Sequence, residues 1–316
     1  MMRMPANGAT RTLTGCVLVL GLGAVPLSAQ SRQVDPSPAE LAIASGRFDI
    51  AEASLYEATR RAPREPSARG ALGAFLGARG KLLTGLTLLD EALKFGADTA
   101  AIQAKQAELL RWTGDYARIA SFRTLRLSDA AREAMRRAGS PVVGGAASAT
   151  VELSPNDALG LGRITISIGG VSIPADIQAG NGLFVPSSMP LFSAVSAAGA
   201  SGDTTYAVGD LAIGGVTMRG VPVALVPAVR VAQIGLDVLS RLTPTFDVDG
   251  RTLTVRAERG PVKGTPQELY LTFPGVSFVA DPGAPPVAVD SPAGRAALRH
   301  RRWTLDVAAG AIIVDL

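Results

Sequence analysis

One cysteine and one histidine in 316 residues exclude most nucleophile and metal chemistry at the outset. Cys16 sits inside an N-terminal apolar run, so once that run is removed no disulfide, thiol nucleophile or cysteine metal site remains. A serine-hydrolase triad or a transition-metal site would have to rest on His300 alone. The first needs a histidine base, and the second usually takes several His or Cys ligands. Arg299-His300-Arg301-Arg302 reads instead as a solvated basic helix end. No GxxxxGK phosphate loop occurs, and no cofactor or metal is implied.

A strong charge of either sign is also missing. The chain carries 31 basic and 27 acidic residues. Arg3 and Arg11 precede an apolar run from Cys16 to Leu27, followed by Leu27-Ser28-Ala29. A basic start, a short apolar core and small residues at a cut point describe a secretory signal peptide over residues 1–29, cleaved near Ala29. Leu13-Thr14-Gly15-Cys16 looks like a lipoprotein box, but such a box follows the apolar core and this one precedes it. The expectation is an exported protein, periplasmic or secreted. Loss of the two arginines leaves 29 basic residues against 27 acidic, a balance that gives no reason to expect a nucleic-acid partner. No later apolar run approaches bilayer length.

From 36 to 139 the composition is rich in Ala, Leu, Arg and Glu at helical spacing. Gly46-Arg47-Phe48, Gly80-Lys81-Leu82 and Gly114-Asp115-Tyr116 recur 34 residues apart, with small or apolar residues following at matching positions. This period resembles the tetratricopeptide repeat and implies stacked helical hairpins that bind a peptide, take a partner protein or dock the next domain. The third copy fades, with Arg123 and Arg126 at positions that are usually small or apolar. Ser128 to Gly139 fits a final helix, capped by the serine and stopped by the glycine.

Residues 140–147, SPVVGGAA, read as a joint, after which the pattern changes from helix to strand. Val151 to Leu153, Ile164 to Ile168, Val171 to Ile177, Thr204 to Ile213, Val216 to Leu225 and Phe246 to Val255 are short, β-branched and punctuated by Gly-Gly or Asp-Gly. Such runs suggest a small closed β-barrel.

At its centre lies GGVSIPADIQAGNGLFVP, Gly169 to Pro186. Ile173, Ala175 and Ile177 alternate with Pro174, Asp176 and Gln178, a half-buried strand that runs into Ala179-Gly180-Asn181-Gly182. The stretch resembles the active-site strand of the retropepsin-like aspartyl proteases, in which an apolar strand delivers Asp-Thr-Gly. Ungapped, Gln178-Ala179-Gly180 falls on that triplet. The resemblance covers roughly Ser148 to Val255 and takes in the Tyr206–Pro227 strand pair, Ile234 to Ser240 and the Phe246–Leu253 hairpin.

The resemblance implies a homodimer through the barrel, with one aspartate from each subunit. Two such carboxylates about 3 Å apart share a proton and activate water. The amide of Gln178 has no proton to titrate and cannot take one from water. The expected result is a degenerate peptidase that binds a peptide or protein segment, with an active aspartic endopeptidase and a structural envelope protein as alternatives. The peptide-binding positions implied are Gly180 and Asn181 at the turn, and Gly199 and Gly202 in Ala197 to Thr205, where the family has its flap. The fallback acids are Asp176, two residues earlier on the same strand face, and Asp281. Asp237 reads as a cap on backbone amides, and Asp247 as part of a hairpin leading to Asp249-Gly250.

The expected organisation is therefore multidomain: a helical hairpin array over 36–139, a linker over 140–147, a closed all-β barrel over 148–257 and a β-rich extension over 258–316. Asp281-Pro282-Gly283-Ala284 in that extension mimics Asp-Thr-Gly-Ala but is an ordinary turn signal. Ser291-Pro292 opens a short helix running to about His300.

Overall fold

The computed structural model describes residues 37–155, 161–180, 182–189, 191, 195–272 and 275–315. The expected signal peptide and Asn181 lie outside them.

Helices come first: α1 (Pro38–Ala44), α2 (Phe48–Arg61), α3 (Pro66–Ala78), α4 (Leu82–Lys94), α5 (Thr99–Thr113), α6 (Tyr116–Ser121) and α7 (Asp129–Ala138). Their starts are written locally. Ser37 and Glu40 form a reciprocal capping box, and Asp98, Asp115 and Ser128 each accept a hydrogen bond from a backbone N–H of the first turn. Gly46, Gly80 and Gly114 occupy the α1–α2, α3–α4 and α5–α6 turns, all at positive φ (69°, 81° and 78°). Each also touches the β half of the molecule. A Cβ at Gly46 would strike the Ala284 carbonyl, one at Gly80 the Val307 carbonyl and Gly310, and one at Gly114 the Arg241 guanidinium. The 34-residue period thus marks the edge along which the helices dock on the β half. Arg79 reinforces the joint by donating to the Leu269 carbonyl at 2.6 Å and pairing with Glu268.

The remaining elements are β1 (Val142–Gly145), β2 (Ser148–Glu152), β3 (Arg163–Ile168), β4 (Val171–Gln178), β5 (Leu183–Pro186), β6 (Ser196–Ser201), β7 (Thr204–Ile213), β8 (Val216–Val226), β9 (Ala232–Gly235), α8 (Leu236–Leu239), β10 (Thr245–Asp247), β11 (Thr252–Arg256), β12 (Thr265–Leu271), β13 (Val276–Phe278), β14 (Val287–Ala288), α9 (Pro292–Leu298), β15 (Arg302–Asp306) and β16 (Ala311–Val314). The first sheet runs β1-β8-β5-β9-β4-β3-β7-β6, and an added β8–β7 pairing closes six of its strands into a barrel. The second runs β14-β13-β12-β16-β15-β10-β11-β2, so the extension joins the barrel's closing hairpin edge to edge. Residues of both sheets, with Trp112 of α5, form one continuous core.

Two local expectations are corrected. The joint at 140–147 contains β1, which pairs antiparallel with β8, because Val142 and Val143 meet an open strand edge. The helix over 291–300 ends at Leu298. Arg302 then belongs to a strand and not to a basic helix end, because Trp303 stacks on Phe246 with ring centroids 4.1 Å apart and β15 is drawn onto β10. The segment at 197–205 forms the β6–β7 hairpin, whose strand β6 lies against α7. A Cβ at Gly199 would meet Ala130 at 3.2 Å, and Arg137 donates to the Ala197 carbonyl.

Candidate functional site

β4 runs parallel to β9, with Gln178 opposite Gly235, and the chain then turns through Ala179 and Gly180 to β5 on the other side of β9. The turn is stapled to β9 and α8. The Gly235 N–H donates to the Gly182 carbonyl at 2.7 Å, and Asp237 Oδ1 accepts from the N–H groups of Gly182 and Val238, both at 2.8 Å. Only glycine fits at 235, since a Cβ there would crowd Asp237, the Gly180 carbonyl and the Gly182 nitrogen. Asp237 therefore fixes the shape of the loop by capping amides, as its sequence context suggested.

Its electrostatics are unusual for a cap. Asp237 is fully buried, and burial pushes its carboxyl above the ordinary aspartate range. The Gly182 hydrogen bond and the charges of Arg111 and Arg241 pull the other way. Its Oδ2 has no hydrogen-bond partner among the described residues. Arg241 reaches from the barrel into the α5–α6 turn, donates to the Arg111 carbonyl at 3.0 Å and lies 5.1 Å over the Tyr116 ring. A cavity of about 30 Å³ beside this group is bordered by Arg111, Tyr116, Gly182, Leu183 and Met135, room for about one water.

The sequence-predicted residues are dispersed by the fold. Asp176, 6 % exposed, accepts a two-point contact from Arg163 on the neighbouring strand, at 2.7 and 3.2 Å. That bond raises the Arg163 pKa. Asp281 sits on an exposed turn closed by the Ala284 N–H donating to its own carbonyl, next to the α1–α2 connection and Gly46. Ala179 is buried, and Gly275 of the extension packs on its carbonyl, with room of 3.2 Å for a Cβ. Gly180 is partly exposed at the turn. Gly202 marks the tip of the β6–β7 hairpin at φ 58°, with open space where a side chain would go.

Arg111 and Arg241 were not singled out from sequence. The available signal was a cation inside an otherwise apolar run, LLRWT and VLSRLT, where a charge is retained only if it is paired or hydrogen-bonded.

A second, larger cavity of about 270 Å³ opens between α3, α5 and β12, lined by Ala74, Ala78, Lys105, Leu109, Trp112 and Tyr270 among others. Two alanines leave the space, and two aromatic side chains wall it. Burial raises the Tyr270 pKa, and its ring stacks on Phe48 at 5.2 Å. Among the described residues, no group of three or more His, Cys, Asp or Glu side chains could hold a metal ion, and no helix is long and apolar enough to cross a membrane.

No protein-family model matches the chain, and no curated protein matches it. Among solved structures it is similar to a retropepsin-like aspartic protease from Rickettsia conorii, with 12 % sequence identity and a TM-score of 0.25, over 37 % of this chain and 93 % of that one.

Proposed function

We propose that this chain is an exported, non-catalytic relative of the retropepsin-like peptidases, with tetratricopeptide-like helices, that works by holding an extended segment of another protein. The observation that carries the reading is the state of the acids around the β4 turn. Gln178 supplies an amide where an aspartic peptidase needs its acid, Asp176 is engaged by Arg163, and Asp237 spends its one bonded oxygen on two backbone amides. Water between such groups keeps its proton, because none of them is a free carboxylate facing a second one.

The cavity between α3, α5 and β12 supports a binding role. Its alanine floor and its Trp112 and Tyr270 walls suit one apolar side chain of an extended segment, and Lys105 at its border can donate to that segment's carbonyls. An increase in Trp112 fluorescence anisotropy on titration with unstructured apolar peptides, abolished by Leu109→Arg, is the expected result. A proteolysis assay on unfolded substrate from acid to neutral pH is expected to be blank. Pepstatin-sensitive cleavage lost in Asp176→Asn or Asp281→Asn would replace this reading with an active endopeptidase. Recovery of the chain from the cytosolic fraction would remove the export part alone.

A further inference from the structure

We infer that residues 264–314 are an abbreviated second lobe, built on the plan of 148–255 and related to it by a local twofold axis between Thr245 and Thr304, so that the chain fills from within the sheet edge that a second copy would otherwise occupy. The strand registers carry the inference. β10–β11 pairs Thr245 with Thr254 and Asp247 with Thr252, and β15–β16 pairs Thr304 with Ile313 and Asp306 with Ala311. One constant offset, Thr245 onto Thr304, superimposes the two hairpins residue for residue. In the antiparallel β10–β15 pair, Thr245 is directly opposite Thr304, and their hydroxyls are hydrogen-bonded at 2.8 Å. Two residues that face each other and are also equivalents of each other must flank the axis, one on either side.

The flanking strands obey the same symmetry. β2 pairs antiparallel with β11, and the first half of β12 pairs antiparallel with β16, so that Glu152 corresponds to Glu268. The second half of β12 then pairs with β13 as β3 pairs with β4.

Local chemistry repeats with the register. Asp247 accepts from the Gly250 N–H and Asp306 from the Ala309 N–H, the same three-residue turn. Arg251 and its equivalent Gly310 are both left-handed, at φ 49° and 64°. Val171-Ser172-Ile173-Pro174-Ala175-Asp176 corresponds to Val276-Ser277-Phe278-Val279-Ala280-Asp281. At the Thr245-to-Thr304 offset Gly235 and Leu239 at α8 fall on Gly294 and Leu298 of α9, and all four are buried. Asp281 is thereby the counterpart of Asp176 and not of Gln178, so the Asp-Pro-Gly turn does not restore an acid at the catalytic position. The second lobe has no counterpart of β5 through β8.

The consequence is a single chain that completes its own interlobe sheet, with no role left for a homodimer through β10. This does not depend on what the chain binds. Sedimentation of the unmodified protein over a wide concentration range is expected to give the monomer mass, 32.4 kDa for the full chain, with the amides of β10 and β15 protected from hydrogen exchange even at the lowest concentration. In a Cys16→Ser background, Thr245→Cys with Thr304→Cys is expected to lose both free thiols on oxidation and still migrate at monomer mass. A dimer whose formation is what protects β10, or thiols that link two chains, would overturn the inference and leave the binding proposal untouched.

Discussion

The two lobes share a register but not a content. The first inserts β5 through β8 between its β4 turn and its closing hairpin, and β5, β7 and β8 among them help close a barrel whose interior is continuous with the core shared by both sheets. The second passes from β13 to α9 through only the two-residue strand β14, and closes nothing. A half-lobe of this length buries too little by itself. It is stable because β15 is hydrogen-bonded to β10 and because Trp303, Leu305 and Ile312 enter the core of the first lobe. The pairing across the axis is therefore structural support, while the loop with the unusual electrostatics belongs to the first lobe alone.

The largest effect is expected at the stacked pair beside the axis. Phe246→Ala and Trp303→Ala should each cost about 3–5 kcal/mol, read by urea unfolding, with the double variant costing clearly less than the sum. Fully additive losses would mean that the lobes do not support each other.

Next comes Asp237, whose counterpart in the second lobe is Ala296. Asp237→Ala leaves the Gly182 and Val238 N–H groups without their acceptor and should cost on the order of 2–3 kcal/mol. The pH dependence has a fixed sign. A carboxyl whose folded pKa is raised binds more protons in the folded state, so its contribution is present below the unfolded value of about 4 and is lost as pH rises through the folded pKa. Asp237→Asn should therefore lose less stability than the parent between acid and neutral pH. An identical slope in both would mean that Asp237 does not contribute to the pH dependence of stability.

The left-handed pair gives opposite outcomes at equivalent positions. Gly310→Ala should cost about 2 kcal/mol, since its Cβ would also meet the Arg79 carbonyl at the helix joint. Arg251→Gly, on an exposed turn, should gain up to about 1 kcal/mol, with thermal unfolding as the check for both. Smallest are the two turn acids. Asp247→Ala and Asp306→Ala should each lose about 1 kcal/mol, and by nearly equal amounts if the turns are true equivalents.

Much of the architecture was legible in the residues. The 34-residue glycines fell on helix turns because a positive φ there favours glycine, and Ser128 and Gly139 bounded α7 because caps are local. The alternation from Ile173 to Gln178 gave β4 and its turn. Asp237 as a cap and Asp281 in a plain turn were also readable, since both depend on neighbours close in sequence. Strand β15 was hidden because His300, Arg301 and Arg302 mask its start, and the force that makes it a strand comes from Phe246 and the edge of β10, far away in the chain. The same holds for the Arg163 partner of Asp176, for the Arg241 contact with the α5–α6 turn and for the repeat between lobes, which is too faint in identity to see without the registers.

Residues near one another in the chain fixed the helices and most of the strands and turns, β1 and β15 excepted, and placed Gln178 at the end of the alternating strand. Those outcomes come from backbone sterics, capping and hydrophobic period, which act within a few residues. Tertiary structure alone decided that the periodic glycines face the β half, that the extension joins the barrel across Thr245 and Thr304, and that a buried carboxyl holds the β4 loop. Each of these is set by desolvation and strand-edge pairing between segments that meet only once the chain has folded.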